Sequence, residues 1–239
     1  MGPQQVSTIV TADGSRTLVN ARGEGYKSRH GALAEARAVY LEGSGAAARL
    51  AVGRPLSVLE VGFGAGLNFL ATAAAAEAGT AALDYRALEL APPQAETLAA
   101  LGYAELLAPS PVPAALVAWR ASFGETMASG WHEFAHGNVT LKLFVGDALG
   151  TTWGEDDTWR VDAVYHDAFS PAELPELWTE AFLSRLAARL TPGGAIVSFS
   201  VAGPVRRALA AVGLKVKKVA GPPGGKREVL VASMPVPTP

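Results

Sequence analysis

The sequence predicts an α/β fold: a doubly wound, largely parallel sheet with helices on both faces, a C-terminal antiparallel hairpin and a small N-terminal β/helix extension. Three observations lead there. From Leu56 onward, short aliphatic runs alternate with helix-forming runs, the pattern of a parallel sheet covered on both faces. A glycine-rich turn, Gly62-Phe63-Gly64-Ala65-Gly66, follows the first of these strands and opens a helix. The final unit, LKVKKVAGPPGGKREVLVA, places two β-rich runs around a Gly/Pro turn. The 239 residues are 49% hydrophobic and 18% charged, enough to bury a substantial core and too apolar for disorder.

In chain order, residues 6–29 read as short strands with turns at Asp13-Gly14 and Gly23, and residues 31–43 (GALAEARAVYLEG) as a helix of strong formers. Residues 1–54 are expected to form an extension packing on a main domain of residues 55–233. Residues 234–239, rich in proline that suits an unpaired end, are expected to form a flexible tail. Within the main domain the reading is strand 57–61, helix 66–78, strand 84–89 and helix 92–101. A less regular stretch from Ala104 to Gly137 precedes strand 139–145, a short helix after Asp147, strand 161–166, helix 176–190, strand 195–200 and helix 203–211. A doubly wound sheet ending in a hairpin resembles the Rossmann-like fold of S-adenosyl-L-methionine (SAM) dependent methyltransferases.

Composition excludes several chemistries. Without cysteine there is no disulfide framework, thiolate zinc site, iron–sulfur cluster or cysteine nucleophile. The start MGPQQVST lacks the basic-then-apolar order of a signal peptide. The longest uncharged runs, Val61 to Ala76 and Leu190 to Val205, have 16 residues each and contain glycine. A soluble, cytoplasmic protein without membrane contact is therefore expected. The four histidines, His30, His132, His136 and His166, have no paired metal-ligand spacing, and no metal is expected. The net charge of −2 hides a gradient: residues 147–180 carry nine acids against one base, whereas residues 206–239 carry seven bases against one acid. The basic cluster can meet phosphates, although such a run also serves as a solvated face.

Four strand ends carry the candidate site. Glycines at 62, 64 and 66 let backbone approach a ligand at a helix N-terminus; the same run can also be a tight turn that binds nothing. Where a dinucleotide site needs a further glycine or alanine the chain has Asn68, and Glu60 before the glycines suits the cationic end of SAM while repelling a pyrophosphate. Glu89, 23 residues after Gly66, ends the next strand, where a carboxylate accepts ribose hydroxyls. Asp147, with Ala148, ends the following one and can accept from an adenine amino group, cap the next helix, or do both. Asp167 in Tyr165-His166-Asp167-Ala168-Phe169-Ser170-Pro171 ends the strand across the crevice. Methyl transfer to nitrogen requires a free lone pair in line with the sulfonium carbon, so Asp167 is assigned to orienting an amine, with proton acceptance as a second role. Phe169 can pack on a base and Trp178 lies just beyond; the alternative makes both core aromatics and Asp167 a helix cap.

With these residues laid out, the chain resembles the methyltransferase domains of the MnmC family, which carries the name tRNA 5-methylaminomethyl-2-thiouridine biosynthesis protein, and still more their free-standing MnmD form. The likeness runs through TLVNARGEGYKSRHGALAEARAVYLEG (17–43), VLEVGFGAGLNFL (58–70), VTLKLFVGDA (139–148), DAFSPAELPELWT (167–179), LTPGGAIVSFSVAGPVRRAL (190–209) and GGKREVLVA (224–232). It implies SAM as donor and the aminomethyl nitrogen of a 5-aminomethyl(-2-thio)uridine at the tRNA wobble position as acceptor. By it, Glu60, Gly62, Phe63, Gly64, Gly66, Asn68, Glu89, Asp147 and Ala148 fall on the SAM cleft and Asp167 on the amine site. Tyr26, Ser28 and Glu35 belong to a cover over the cofactor, in a segment where the family often has histidine and this chain has Lys27. Phe169 and Trp178 fall beside the base, and Arg206, Arg207, Lys226 and Arg227 near the anticodon stem-loop backbone. A separate FAD-dependent oxidoreductase acting upstream would be a partner, since the chain carries no second glycine-rich fingerprint. Alternatives are a small-molecule amine methyltransferase, an aminopropyltransferase, and a nonenzymatic subunit on the same scaffold.

Overall fold

In the computed structural model, which describes residues 6–150 and 158–236, the core is an eight-stranded sheet in the order β5-β6-β4-β3-β7-β8-β10-β9. Its strands are β3 (Leu56–Val61), β4 (Leu83–Glu89), β5 (Gly130–His136), β6 (Val139–Val145), β7 (Val161–His166), β8 (Leu190–Ser198), β9 (Lys215–Ala220) and β10 (Glu228–Ser233). The central five, β6-β4-β3-β7-β8, are parallel, and β5, β10 and β9 join in antiparallel pairs. The chain enters this sheet at β3, winds outward through β4 and β6, then returns to β7 on the other side. That reversal opens a crevice beyond the carboxyl ends of β3 and β7.

Two apolar layers sandwich the sheet, and strand parity decides which residue joins which. In β3, Val58 packs with the layer under α3 (Leu67–Ala78), whereas Leu59 and Val61 pack with α7 (Glu180–Ala187) and α8 (Gly203–Ala211) on the far face. Glu60 shares the parity of Val58 and is thereby turned beneath α3. The N-terminal residues share the first layer: a two-stranded hairpin of β1 (Ser7–Val10) and β2 (Arg16–Val19) leads to α1 (Ala32–Glu35), a π-helical turn (Ala36–Glu42) and α2 (Ala46–Ala51). Leu18, Ala32, Ala36, Val39, Tyr40 and Leu50 are buried there against α3.

The architecture agrees with the doubly wound reading, with differences in detail. The stretch between Ala104 and Gly137 is ordered: α5 (Tyr103–Leu106) follows α4 (Ala95–Ala100), α6 (Val112–Ala121) comes next, and β5 is an edge strand. β5 turns into β6 through Gly137-Asn138, with His136 opposite Val139, so the WHEFAH alternation is a hairpin arm. Helix 176–190 is broken: a 3₁₀ turn at Pro175–Trp178 precedes α7, whose N-cap Thr179 accepts the Phe182 N–H. Strand β8 begins at Leu190, five residues before its expected start. After Asp147, residues 148–150 form a turn and the rest of the expected helix lies outside the described residues. The terminal hairpin enters through β10, which pairs with β8 and leaves β9 at the edge. No helix among the described residues is long and apolar enough to cross a membrane.

Candidate active site

A cavity of about 410 Å³ opens at the carboxyl ends of β3, β4, β6 and β7. Tyr26, Ser28, Glu35, Gly62, Phe63, Gly64, Glu89, Asp147, Ala148, Asp167, Phe169 and Lys226 all line it, so most of the residues selected by strand position or by resemblance converge. Glu24, Lys27, Leu88, Leu90, Leu177 and Phe199 complete much of the wall.

Backbone shape makes room for it. Gly62 has φ +87, and a Cβ there would stand 2.6 Å from the Asp167 carbonyl oxygen, so only glycine lets β3 and the β7 loop close on each other. Gly64, at φ +52, faces the Tyr26 ring, which a Cβ would meet at 3.1 Å. The Gly64 N–H donates to Glu89 Oε2 at 2.7 Å and the Ala91 N–H to Oε1 at 2.9 Å, which fixes that carboxylate in the wall. Burial raises the Glu89 pKa while these N–H groups oppose the shift. Asp147 faces the cavity and also accepts the Leu149 N–H at 2.9 Å, so one residue lines the site and caps the turn.

Asp167 is the hub of a buried polar cluster. Its Oδ2 accepts from Asn68 Nδ2 at 2.8 Å and from Lys27 Nζ, and its Oδ1 accepts from Tyr40 OH at 2.5 Å. Lys27 Nζ also stands 3.8 Å from Glu35 Oε1 and 4.2 Å from the centre of the Tyr40 ring. Behind this, Asn68 Nδ2 donates to Glu60 Oε1 at 2.7 Å and Tyr85 OH to Oε2 at 3.0 Å. Burial, reinforced by Asp167, pushes Glu60 up to about 8; burial, opposed by Lys27, pushes Glu35 up to about 7. Tyr40, wholly buried, has its pKa raised by that burial and by the Asp167 charge.

Several expected residues take other places. Glu60, Gly66 and Asn68 lie behind the cavity wall, and Glu60 reaches it through Asn68 and Asp167. Trp178 stacks on His166 with ring centres 4.1 Å apart, and its Nε1 donates to the Phe169 carbonyl at 2.9 Å, so it supports the Phe169 loop from behind. Burial holds His166 down at about 4. Arg206, Arg207 and Arg227 are exposed outside the cavity, and Lys226 reaches its edge over the Phe199 ring at 4.4 Å.

Two members of the cluster escaped the sequence reading as site residues. Lys27 lies between Tyr26 and Ser28, both singled out, yet its direction into the cluster depends on the loop after β2. Tyr40 stands five residues after Glu35, which overshoots an α-helical turn of about 3.6 residues but suits the i→i+5 repeat of the π-helical turn. A strap of residues 22–27 lies over the site: Arg22 Nη1 donates to Glu173 Oε2 at 2.6 Å, the Ser170 N–H donates to Glu24 Oε1 at 3.1 Å, and Tyr26 meets Phe169 edge-on at 5.2 Å.

The cavity has the acidic acceptors a sulfonium nucleoside needs: Glu24, Glu35, Glu89, Asp147, Asp167 and Glu176 outnumber Lys27 and Lys226, and Phe63, Leu88, Leu90 and Ala148 supply apolar walls for a ring. A model of the SAM-dependent methyltransferase family matches residues 118–235. The MnmC2 crystal structure from Aquifex aeolicus aligns over all of this chain and 73% of its own, at TM-score 0.77 and 28% identity. The tRNA 5-methylaminomethyl-2-thiouridine biosynthesis bifunctional protein MnmC of Aromatoleum aromaticum is 37% identical over 95% of this chain. The chain is thus similar to the MnmC-type SAM-dependent methyltransferases over nearly its whole length. The MnmC of Paracidovorax citrulli is 39% identical over 84% of the chain. The chain spans about a third of the length of these curated relatives, 35% and 31% respectively. SAM is the methyl donor named for that family, and the volume, acidic lining and apolar walls of the cavity fit it, with Glu89, Asp147 and Ala148 on the part of the lining that would hold the nucleoside.

Proposed function

We propose that the protein methylates the aminomethyl nitrogen of a 5-aminomethyl(-2-thio)uridine at the wobble position of tRNA, acting in the cytoplasm and downstream of a separate FAD-dependent oxidoreductase. The observation that carries the reading is Asp167: a carboxylate at the end of β7, on the cavity wall, held by three donors from three different parts of the chain. The names of the MnmC relatives support the choice of substrate.

When bound, SAM supplies a methyl group on a positively charged sulfur. The rest falls to the chain. Asp167 orients the amine, and the base, flipped out of the anticodon loop, packs on Phe169 at the cavity mouth. Tyr26 and the strap exclude water above Gly64. Lys226 at the rim, with Arg206, Arg207 and Arg227 on the neighbouring surface, takes the phosphate backbone. Holding the two reactants in line is worth about 7–11 kcal/mol, more than a single general base supplies.

The test is incubation with isotope-labelled SAM and tRNA bearing aminomethyluridine, followed by nucleoside mass spectrometry. Label on the wobble nucleoside is the expected result. Label on a free small amine with none on tRNA would replace the tRNA reading with a small-molecule one.

A further inference from the structure

The inner end of the cavity places two carboxylates on either side of one ammonium, and the two are not equivalent. Asp167 has both oxygens engaged, Oδ1 by Tyr40 OH and Oδ2 by Asn68 Nδ2 and Lys27 Nζ. A carboxylate so occupied is a rigid acceptor for an N–H. Glu35 faces the same cavity, with its side chain only 9% exposed, and its charged neighbour Lys27 stands at 3.8 Å, one small side-chain adjustment from a hydrogen bond. The groups facing Glu35 are Lys27 from the strap, Asp167 from the β7 loop, Lys226 from the β9–β10 turn, the Ser28 N–H and, on its own helix, Tyr40.

We propose that Glu35, acting through Lys27, takes up the proton of the incoming amine, so that the substrate binds in its abundant charged form while Asp167 holds it in place. This rests on the amine-methylating reading above. Lys27 passes one of its own protons to the Glu35 carboxylate, and the lone pair this frees on Nζ accepts one from the ammonium of the substrate. Lys27 ends with its charge unchanged, Glu35 neutral and the amine with a free lone pair. That pair forms the nitrogen–carbon bond as the carbon–sulfur bond breaks, with the sulfur keeping the electrons of the broken bond. The product leaves as a secondary ammonium and Glu35 returns its proton to water. Glu35 is thus a positioning residue for the proton, and its burial, which brings its pKa to about 7, matches the task.

Two measurements test this. In single-turnover methylation from pH 6 to 9.5, the wild-type rate should level off above about pH 7, because the charged amine remains a usable substrate. The Glu35→Gln variant must wait for neutral amine, so its rate should keep climbing about tenfold per pH unit, with a deficit of about a hundredfold at pH 7 that closes as the amine's own pKa is approached. Glu35→Asp, which keeps a carboxylate, should restore the plateau. A deficit constant across pH, or none, overturns the inference. Independently of turnover, carbon-13 NMR of glutamate-labelled protein should find a Glu35 carboxyl that titrates near pH 7, with a midpoint that rises in Lys27→Met. A Glu35 carboxyl titrating in the ordinary carboxylate range overturns this inference alone; wild-type protein that methylates no amine overturns the functional reading on which it rests.

Discussion

The strap over the active site meets the loop after β7 at two ion pairs in opposite surroundings. Lys27 and Asp167 pair with side chains 7% and 6% exposed, whereas Arg22 and Glu173 pair with side chains 73% and 30% exposed. Both link the same two segments. At the buried end, each charge has lost its water and must be satisfied by the protein, so Asn68, Tyr40 and Glu35 gather around the pair. At the exposed end solvent and salt do that work, and the pair adds little beyond geometry. The comparison separates what builds the site from what decorates its rim.

The largest effect should come from breaking the buried pair. Lys27→Met leaves Asp167 and Glu35 facing each other without the cation between them, a change that typically costs about 3–5 kcal/mol. For a chain of this size the melting temperature should fall on the order of 10 °C at pH 8. The deficit should shrink at lower pH, because Lys27 opposes the upward shift of Glu35 and without it that carboxyl takes up a proton more readily. Thermal melts of both proteins at pH 6 and pH 8 decide the matter; equal losses at the two pH values would mean that Lys27 acts by packing alone.

The two ends of the strap also differ in how far the sequence revealed them. Strand-end acids such as Glu89, Asp147 and Asp167 were legible because a parallel strand followed by a glycine or a loop delivers its last residues to the crevice. The burial of Glu60 was legible in principle too: with Val58 and Glu60 on one face and Leu59 and Val61 on the other, parity alone turns Glu60 under α3. Lys27 and Tyr40 were not. Their meeting with Asp167 spans 140 and 127 residues of chain and depends on a π-helical turn that no apolar periodicity announces. The hairpin arm β5 was hidden for another reason: its alternation is short, and its outward-facing residues are mixed polar and aromatic.

An intermediate effect is expected one step behind the buried pair. Glu60 holds its proton up to about 8 in the fold and releases it near 4.5 in the unfolded chain. Between those values the native state binds more protons, so this contribution to stability is complete below about 4.5 and is lost as pH rises through about 8. Glu35 acts in the same direction with its upper limit at about 7. Glu60→Gln removes the first of these dependences while leaving an acceptor for Asn68. From pH 5 to 8 its stability should fall less than that of the wild type, by on the order of 2 kcal/mol. Urea midpoints across that range measure the difference, and parallel curves would show that Glu60 does not titrate there.

The smallest effect belongs to the exposed pair. Arg22 and Glu173 are 2.6 Å apart, close enough for a short charge-assisted hydrogen bond, and distance alone would rank them with the strongest contacts in the molecule. Solvent argues otherwise: the arginine is largely exposed, it gives up side-chain freedom to hold the pair, and salt screens the attraction. A double-mutant cycle with Arg22→Ala and Glu173→Ala should return a coupling of about 0.2–1 kcal/mol in low salt and less at high salt. Because the Ser170 N–H still donates to Glu24 and Tyr26 still meets Phe169, the strap should stay closed in Arg22→Ala, and SAM affinity should change less than about threefold. A loss of ten-fold or more would place the latch of the strap at its rim, and the buried cluster would then be following the closure rather than causing it.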